Sequence, residues 1–350
     1  MGGVKVKGTK GIVFGILLAL CAFVFLFGSS LAEAAAPEVF KWRLQAVGPR
    51  GSTETDVIER FADQVKQASN GRLEIKVYGA DEIVPTFETF DAVSQGLLEM
   101  HCNDPSYWVG KTNQCSGIIT TPFLFKNALS QKIFLENWGG LEILRKVYAK
   151  HNIYLINQFG ETPGTIWTKF PFKGLEDFKG KKIRGHGLWS EALKRVGVSS
   201  VTMPGGEVYE AMERGVIDGL ISANVAWCFD YGFHEVSNYV YAGDGINIAN
   251  LEFAVNMDAW NKLPDDLKAI VSVCAREAEV AMLAINQDAD QVKLHEAVEK
   301  WGVKTQPFDS ASIGKMRAAM MGAIEEYAKA DESYAELLKV LKKYLEVTGD

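Results

Sequence analysis

The chain lacks the short motifs that mark common enzyme chemistries. It has no HExxH helix, no GxSxG turn and no phosphate-binding P-loop, so the usual signs of zinc peptidases, serine hydrolases and nucleotide-driven enzymes are missing. Its five histidines (His101, His151, His186, His234 and His295) are scattered, none at a metal-ligand spacing on a helix. Its five cysteines match no zinc pattern. Positive charge is also short. The 37 basic residues are outnumbered by 44 acidic ones. That speaks against nucleic acid or an anionic membrane as a partner, because both need a basic footprint. No segment is of low complexity.

The one long uncharged apolar run, residues 11–28, stands at the start of the chain, behind Lys5, Lys7 and Lys10 and ahead of Ala32-Glu33-Ala34. This order predicts a secretory signal, residues 1–34, cleaved after Ala34. An uncleaved anchor is the alternative, since the run nearly suffices to span a bilayer. Cleavage removes three lysines and Glu33, leaving 34 basic and 43 acidic residues and a net charge of −9. In so acidic a protein, an anion needs local positive charge, and a single well-placed arginine carries more information. Four cysteines remain. An exported chain can oxidise a pair, Cys102 with Cys115 being nearest in sequence, or keep all as buried thiols.

What is present is alternation. Val39–Ala46 reads as a strand, with Phe40, Trp42, Leu44 and Ala46 on one face. Ser52 or Thr53 can cap a helix to about Ser69 with the stripe Val57, Ile58, Phe61, Ala62 and Val65. Arg72–Tyr78 alternates again, followed by a helix near Glu88–Gly96 and a strand from Leu97 to Cys102. A second block starts near Ile153, with strands at 154–159, 165–169, 181–184, 200–203 and 216–222 and helices at 188–196 and 207–214. Two such blocks predict two α/β lobes, and about 315 mature residues are too many for one ordinary core. Residues 264–301 form the longest helical pattern, about 55 Å at 1.5 Å per residue. That length can cross both lobes, unless polar residues at 286–290 break it. A strand at 303–308 and helices at 312–330 and 334–347 finish the chain.

Arg184 ends a short strand and is followed by Gly185-His186-Gly187-Leu188-Trp189-Ser190, a near miss to the dinucleotide fingerprint GxGxxG. Ser190 replaces the third glycine, and the strand carries Lys181, Lys182 and Arg184 where an apolar run is expected, so a nicotinamide cofactor is not inferred.

The stretch Phe178–Arg184 (FKGKKIR) resembles the strand that carries a ligand-clamping arginine in solute-binding proteins of tripartite ATP-independent periplasmic (TRAP) transporters. Glu207–Met212 (EVYEAM) with Gly215–Gly219 (GVIDG), Asn256–Pro264 (NMDAWNKLP), Ser69–Arg72 and Ala92–Met100 are similar to further motifs of that family, in the same order. The resemblance covers essentially the whole mature chain. It implies a two-lobed α/β periplasmic-binding-protein-like fold with a long helix crossing both lobes. Lobe I would be 37–160 plus about 250–285, and lobe II 161–249 plus about 286–350. It implies a periplasmic, non-catalytic receptor that binds a small organic acid and delivers it to membrane permease subunits. An exported enzyme of the same shape, acting on a small organic acid, is the alternative, and a sensor partner is a third reading.

Arg184 aligns with the family's clamping arginine, and guanidinium matches a carboxylate with two parallel hydrogen bonds. Around it the resemblance suggests Asn256, Trp167, Trp189, Tyr107 and Trp108 as ligand contacts. Family members with a metal place Trp and Glu after the Val-Asp segment. Here that place is Ile221-Ser222-Ala223-Asn224, so no metal and no cofactor is expected, and Ser222 and Asn224 would supply neutral hydrogen bonds. Arg50 is the candidate second cation for a dicarboxylate. The aromatics favour a monocarboxylate with an apolar or aromatic tail.

Overall fold

The computed structural model describes residues 1–3, 38–243 and 248–349. The expected signal segment falls, except for its first three residues, outside them. From Phe40 onward the chain forms one unit built on two sheets.

The first sheet has the order β2–β1–β3–β10–β4, with β1 Phe40–Ala46, β2 Leu73–Tyr78, β3 Met100–Asn103, β4 Ile153–Pro163 and β10 Ile248–Asn256. Strands β1, β2 and β3 are parallel, and β10 runs antiparallel between β3 and β4. Helix α1 (Thr53–Ala68) joins β1 to β2. Ser52 caps it by accepting the Thr55 N–H, and the predicted stripe from Val57 to Val65 is buried. Helix α2 (Thr89–Ser94) precedes β3, and α3 (Ala128–Asn137) and α4 (Gly140–Ala149) precede β4.

The second sheet has the order β11–β9–β5–β8–β6–β7, with β5 Thr165–Thr168, β6 Lys182–Arg184, β7 Ser199–Val201, β8 Gly219–Ser222, β9 Tyr239–Tyr241 and β11 Lys304–Thr305. Helices α5 (Gly187–Arg195) and α6 (Gly205–Glu213) connect the parallel strands β6, β7 and β8; α7 (Val225–Asp230) and α8 (Phe233–Val236) follow β8. The strand predicted over 303–308 pairs at only two residues, against the single neighbour β9.

The sheets define two lobes joined by β4 running into β5 and by β10 returning. A short helix, α9 (Met257–Lys262), leads into α10 (Asp265–Trp301), which spans both lobes without a break. Its first half packs Leu267, Val271, Ala275, Ala278 and Met282 into the first lobe, and Ala297 enters the core of the second. The polar stretch that suggested a kink lies where the helix passes between the lobes. There Asn286 donates to Glu161 (3.0 Å), and Asp290 accepts the Ala226 N–H (2.7 Å).

Helix α11 (Ser310–Ala330) packs Met316, Met320 and Ala323 on the second lobe. Helix α12 (Glu332–Thr348) does not stay there, as the expected boundary had it. Its stripe Leu337, Leu338, Leu341 and Tyr344 fills the core behind α3 and α4 of the first lobe.

All four described cysteines are free and buried, so Cys102 and Cys115 are not bridged. Among the described residues, no helix is long and apolar enough to cross a membrane.

Candidate functional site

The carboxyl ends of β1, β3, β6 and β8 converge on the space between the lobes, where ligands bind in open α/β sheets. The cavity there holds about 520 Å³ of atom-free space including its opening. It is narrow. Its size suits a small metabolite.

Several contacts hold the lobes together over it. His186 lies 3.0 Å from Asp104. The Thr53 N–H and hydroxyl both donate to Asp230 Oδ2, at 2.8 and 2.9 Å. Gly187 has φ +49°, and a Cβ there would stand 2.7 Å from the Ser106 Cβ. The glycine therefore lets one lobe close on the other, a role not apparent from the sequence.

Arg184 is fully buried. Its Nε and Nη2 donate to the Met203 carbonyl, at 3.2 and 3.0 Å, while Nη1 has no partner. Among the described residues, no carboxylate forms an ion pair with it. Burial pushes the Tyr107 phenol up to about 12, and the nearby guanidinium of Arg184 opposes that shift. Burial, and after it Arg184, holds His186 below its ordinary range against the pull of Asp104.

Tyr107, Trp189 and Ser222 line the cavity. The Trp189 Nε1 and the Ser222 hydroxyl are buried without a hydrogen-bond partner, leaving one donor and one donor–acceptor free for a ligand. Asn224 follows directly behind. Its Oδ1 caps α7 by accepting the Trp227 N–H at 2.8 Å, and its Nδ2 has no partner.

The other suggested contacts are placed elsewhere. Trp167 is a core residue of the second lobe whose Nε1 donates to Thr165 at 2.8 Å. Trp108 donates to the Tyr148 hydroxyl at 3.0 Å and stacks on His101 inside the first lobe. Neither lines the cavity. Asn256 stands at the far end of β10, caps α9 through the Ala259 N–H and donates to the Val93 carbonyl. It is β10 residues 249–251 that reach the cavity. Arg50 is half-exposed and held by Glu82 and Glu59, so it supplies no second cation here.

Two acidic residues that motif reading passed over also line the cavity: Glu54 and Glu161. Glu54 is in the first turn of α1, where an acid reads as a helix-dipole partner. Both are buried. Burial first, then the charges of Asp230 and Asp290, pushes the Glu54 carboxyl up to about 8, with its own backbone N–H opposing. Burial and the neighbouring Glu54, Asp290 and Asp104 raise Glu161 well above the usual carboxylate range.

Two α/β lobes closing on a small cavity, bridged by two strands and a long helix, define a periplasmic-type solute-binding protein. The chain matches the bacterial extracellular solute-binding protein family 7 over residues 44–331 and belongs to it. It is 30% identical over 326 residues to the monocarboxylate 2-oxoacid-binding periplasmic protein of Nostoc sp., covering 90% of this chain and 86% of that one. Among solved structures, a TRAP periplasmic solute-binding protein of Colwellia psychrerythraea with bound calcium and pyruvate is 29% identical. It has a TM-score of 0.80 and covers 88% of this chain and 94% of that one. A second, from Pseudoalteromonas atlantica with bound sodium and pyruvate, is 27% identical with a TM-score of 0.80 over 88% and 94% of the two chains. The protein is thus a solute receptor of the TRAP class, a family of periplasmic binding proteins rather than enzymes.

The calcium and sodium belong to those structures. In this chain residues 221–224 offer no carboxylate. Among the described residues, no group of three His, Cys, Asp or Glu side chains is placed to hold a metal ion.

Proposed function

We propose that this receptor captures a small organic carboxylate between its lobes, with Arg184 as the anion's partner, and hands it unchanged to the membrane permease subunits of a TRAP transporter. Residues 1–34 direct its export to the periplasm and are then removed. The observation that carries this reading is a fully buried guanidinium with a free Nη1 and no ion-pair partner among the described residues. An uncompensated buried charge costs several kcal/mol. A ligand carboxylate restores the missing charge and hydrogen bonds, each charge-assisted bond contributing roughly 1.5–3 kcal/mol. Trp189, Tyr107 and Ser222 enclose the rest of the ligand, and Asn224 orients the turn that carries Ser222. The relatives' pyruvate and 2-oxoacids make small monocarboxylates the first compounds to test.

Thermal shift and calorimetry on protein refolded from denaturant, to strip any resident molecule, test this. A small acid should raise Tm by mass action, and Arg184→Ala should abolish the rise while the ligand-free protein still folds. Undiminished affinity in Arg184→Ala would remove the arginine from the site. Recovery of a chemically altered ligand would favour an exported enzyme.

A further inference from the structure

The cavity carries more negative groups than an anion receptor needs. Glu54 is 1% exposed, and neither carboxylate oxygen has a hydrogen-bond partner. Glu161 is 5% exposed and accepts one hydrogen bond, from Asn286. Among the described residues, no lysine, arginine or histidine forms an ion pair with either. Both line the same narrow cavity, and they are close enough for Glu54 to disfavour ionisation of Glu161. The cation assigned to the site, Arg184, comes from the other lobe and is already committed to the ligand's carboxylate in the reading above.

A plain hydroxy or oxo acid leaves this pair uncompensated. It supplies a second negative charge and no positive one. A buried carboxyl without a partner is costly, and the structure resolves the cost only by keeping protons on both groups or by giving them a cation. A nitrogen carrying two or three N–H donors and a positive charge satisfies both acids at once. With a carboxylate on Arg184 and a proton kept on one of the two acids, the charges of these groups cancel.

We infer that the ligand is a small amino or imino acid, whose carboxylate is held by Arg184 and whose protonated nitrogen is held by Glu54 and Glu161. This rests on the receptor reading and narrows it. Glu54 comes from the first turn of α1 and Glu161 from the end of β4, while Arg184 ends β6. The two charges of the ligand are therefore read by different lobes, and a compound lacking either charge engages only one of them fully. The narrowness of the cavity limits the rest of the molecule to a short side chain or a small ring.

Matched compounds separate the possibilities. L-alanine, L-lactate and pyruvate form one set; L-valine, 2-hydroxyisovalerate and 2-oxoisovalerate form a second; L-proline and cyclopentanecarboxylate form a third. Calorimetric titration of the stripped mature protein should find the nitrogen-bearing member of at least one set binding about tenfold or more tightly than its partners, the discrimination expected of a charge-assisted pair. Glu54→Gln and Glu161→Gln should each erase that preference. Their ligand-free Tm should be equal to or above that of the parent, which shows that the loss is not unfolding.

The inference is overturned if the hydroxy or oxo member binds as well as its amino counterpart, with or without added Ca²⁺ or Na⁺. It is also overturned if no amino or imino acid binds, or if Glu54→Gln leaves the preference intact. Arg184→Ala keeps the two readings apart. Loss of oxo-acid binding in that variant, with Glu54→Gln unaffected, would sustain the receptor and sink the nitrogen site. Retention of binding in Arg184→Ala would sink the receptor geometry itself.

Discussion

Asp104 Oδ2 stands 3.0 Å from Nε2 of His186, tying the end of β3 in one lobe to the loop after β6 in the other. Because burial and Arg184 keep the imidazole below its ordinary 6.5, the pair at neutral pH is a hydrogen bond to a neutral ring. A histidine with a depressed folded-state pKa contributes stability above pH 6.5 and loses it as the pH falls. The Tm should therefore drop between pH 7.5 and 5, and His186→Asn should drop less steeply. His234, also lowered chiefly by burial, acts in the same direction in both proteins, so the difference between them carries the test. Parallel pH profiles would show that the latch does not titrate in this range.

Glu54 has the opposite sign. Its folded-state pKa is raised to about 8, so its contribution is fully present below pH 4.5 and lost as the pH rises through 8. The ligand-free protein then carries a penalty of roughly 5 kcal/mol at the alkaline end. Glu161 and Asp290, both raised mainly by burial, add to the same trend. Glu54→Gln should raise the Tm of the stripped protein at pH 8.5 and change it little at pH 4.5. An equal shift at both values would mean that the carboxyl is not the titrating group.

Closure depends on a missing side chain. Gly187→Ala would drive a Cβ against Ser106 at a backbone φ of +49°, costing about 1–3 kcal/mol in the closed form. Ligand affinity should fall by about tenfold or more while the ligand-free fold persists, and adding Ser106→Gly should restore part of it. Unchanged affinity would show that the lobes close elsewhere.

The first lobe holds a buried polar network whose members do not line the cavity. Glu252 accepts from the Tyr148 hydroxyl (2.6 Å) and Gln158 (2.7 Å), sits 3.1 Å from His101, and Trp108 donates to the same tyrosine. Tyr148→Phe leaves the Trp108 N–H without its acceptor and should cost about 1–3 kcal/mol in urea unfolding. Ligand affinity should not move.

The four described cysteines are buried, and burial pushes Cys115 and Cys228 up to about 12 and Cys102 well above the ordinary thiol range. A thiol reagent should find none in the native mature protein and four after unfolding, and reductant should leave Tm unchanged. Two thiols missing after unfolding would restore the Cys102–Cys115 bridge.

Local pattern carried much of the architecture. The alternation of Phe40 to Ala46, the stripe from Val57 to Val65 and the long run from Asp265 to Trp301 each specify an element, because periodicity is a property of neighbouring residues. Arg184 drew attention as a charge ending a strand before two glycines. The aromatics misled more often. Trp108, Trp167 and Trp189 look alike in sequence, yet only Trp189 lines the cavity, since which side of an element faces the cleft depends on how the lobes pack. Asn256 was placed by motif and proved to be a helix cap, because β10 reaches the cleft with its other end.

By itself, then, the sequence determined two α/β lobes, the helix long enough to span them and an arginine at the mouth of a sheet. Only the tertiary structure decided that Glu54 and Glu161 line one cavity and that Arg184 is buried behind its residue Tyr107. The two acids are separated by more than a hundred residues and reach the cavity through α1 and β4, while Arg184 ends β6 of the opposite lobe. Burial changes the chemistry of each: in water these would be ordinary charges, and inside the closed cleft they require a partner.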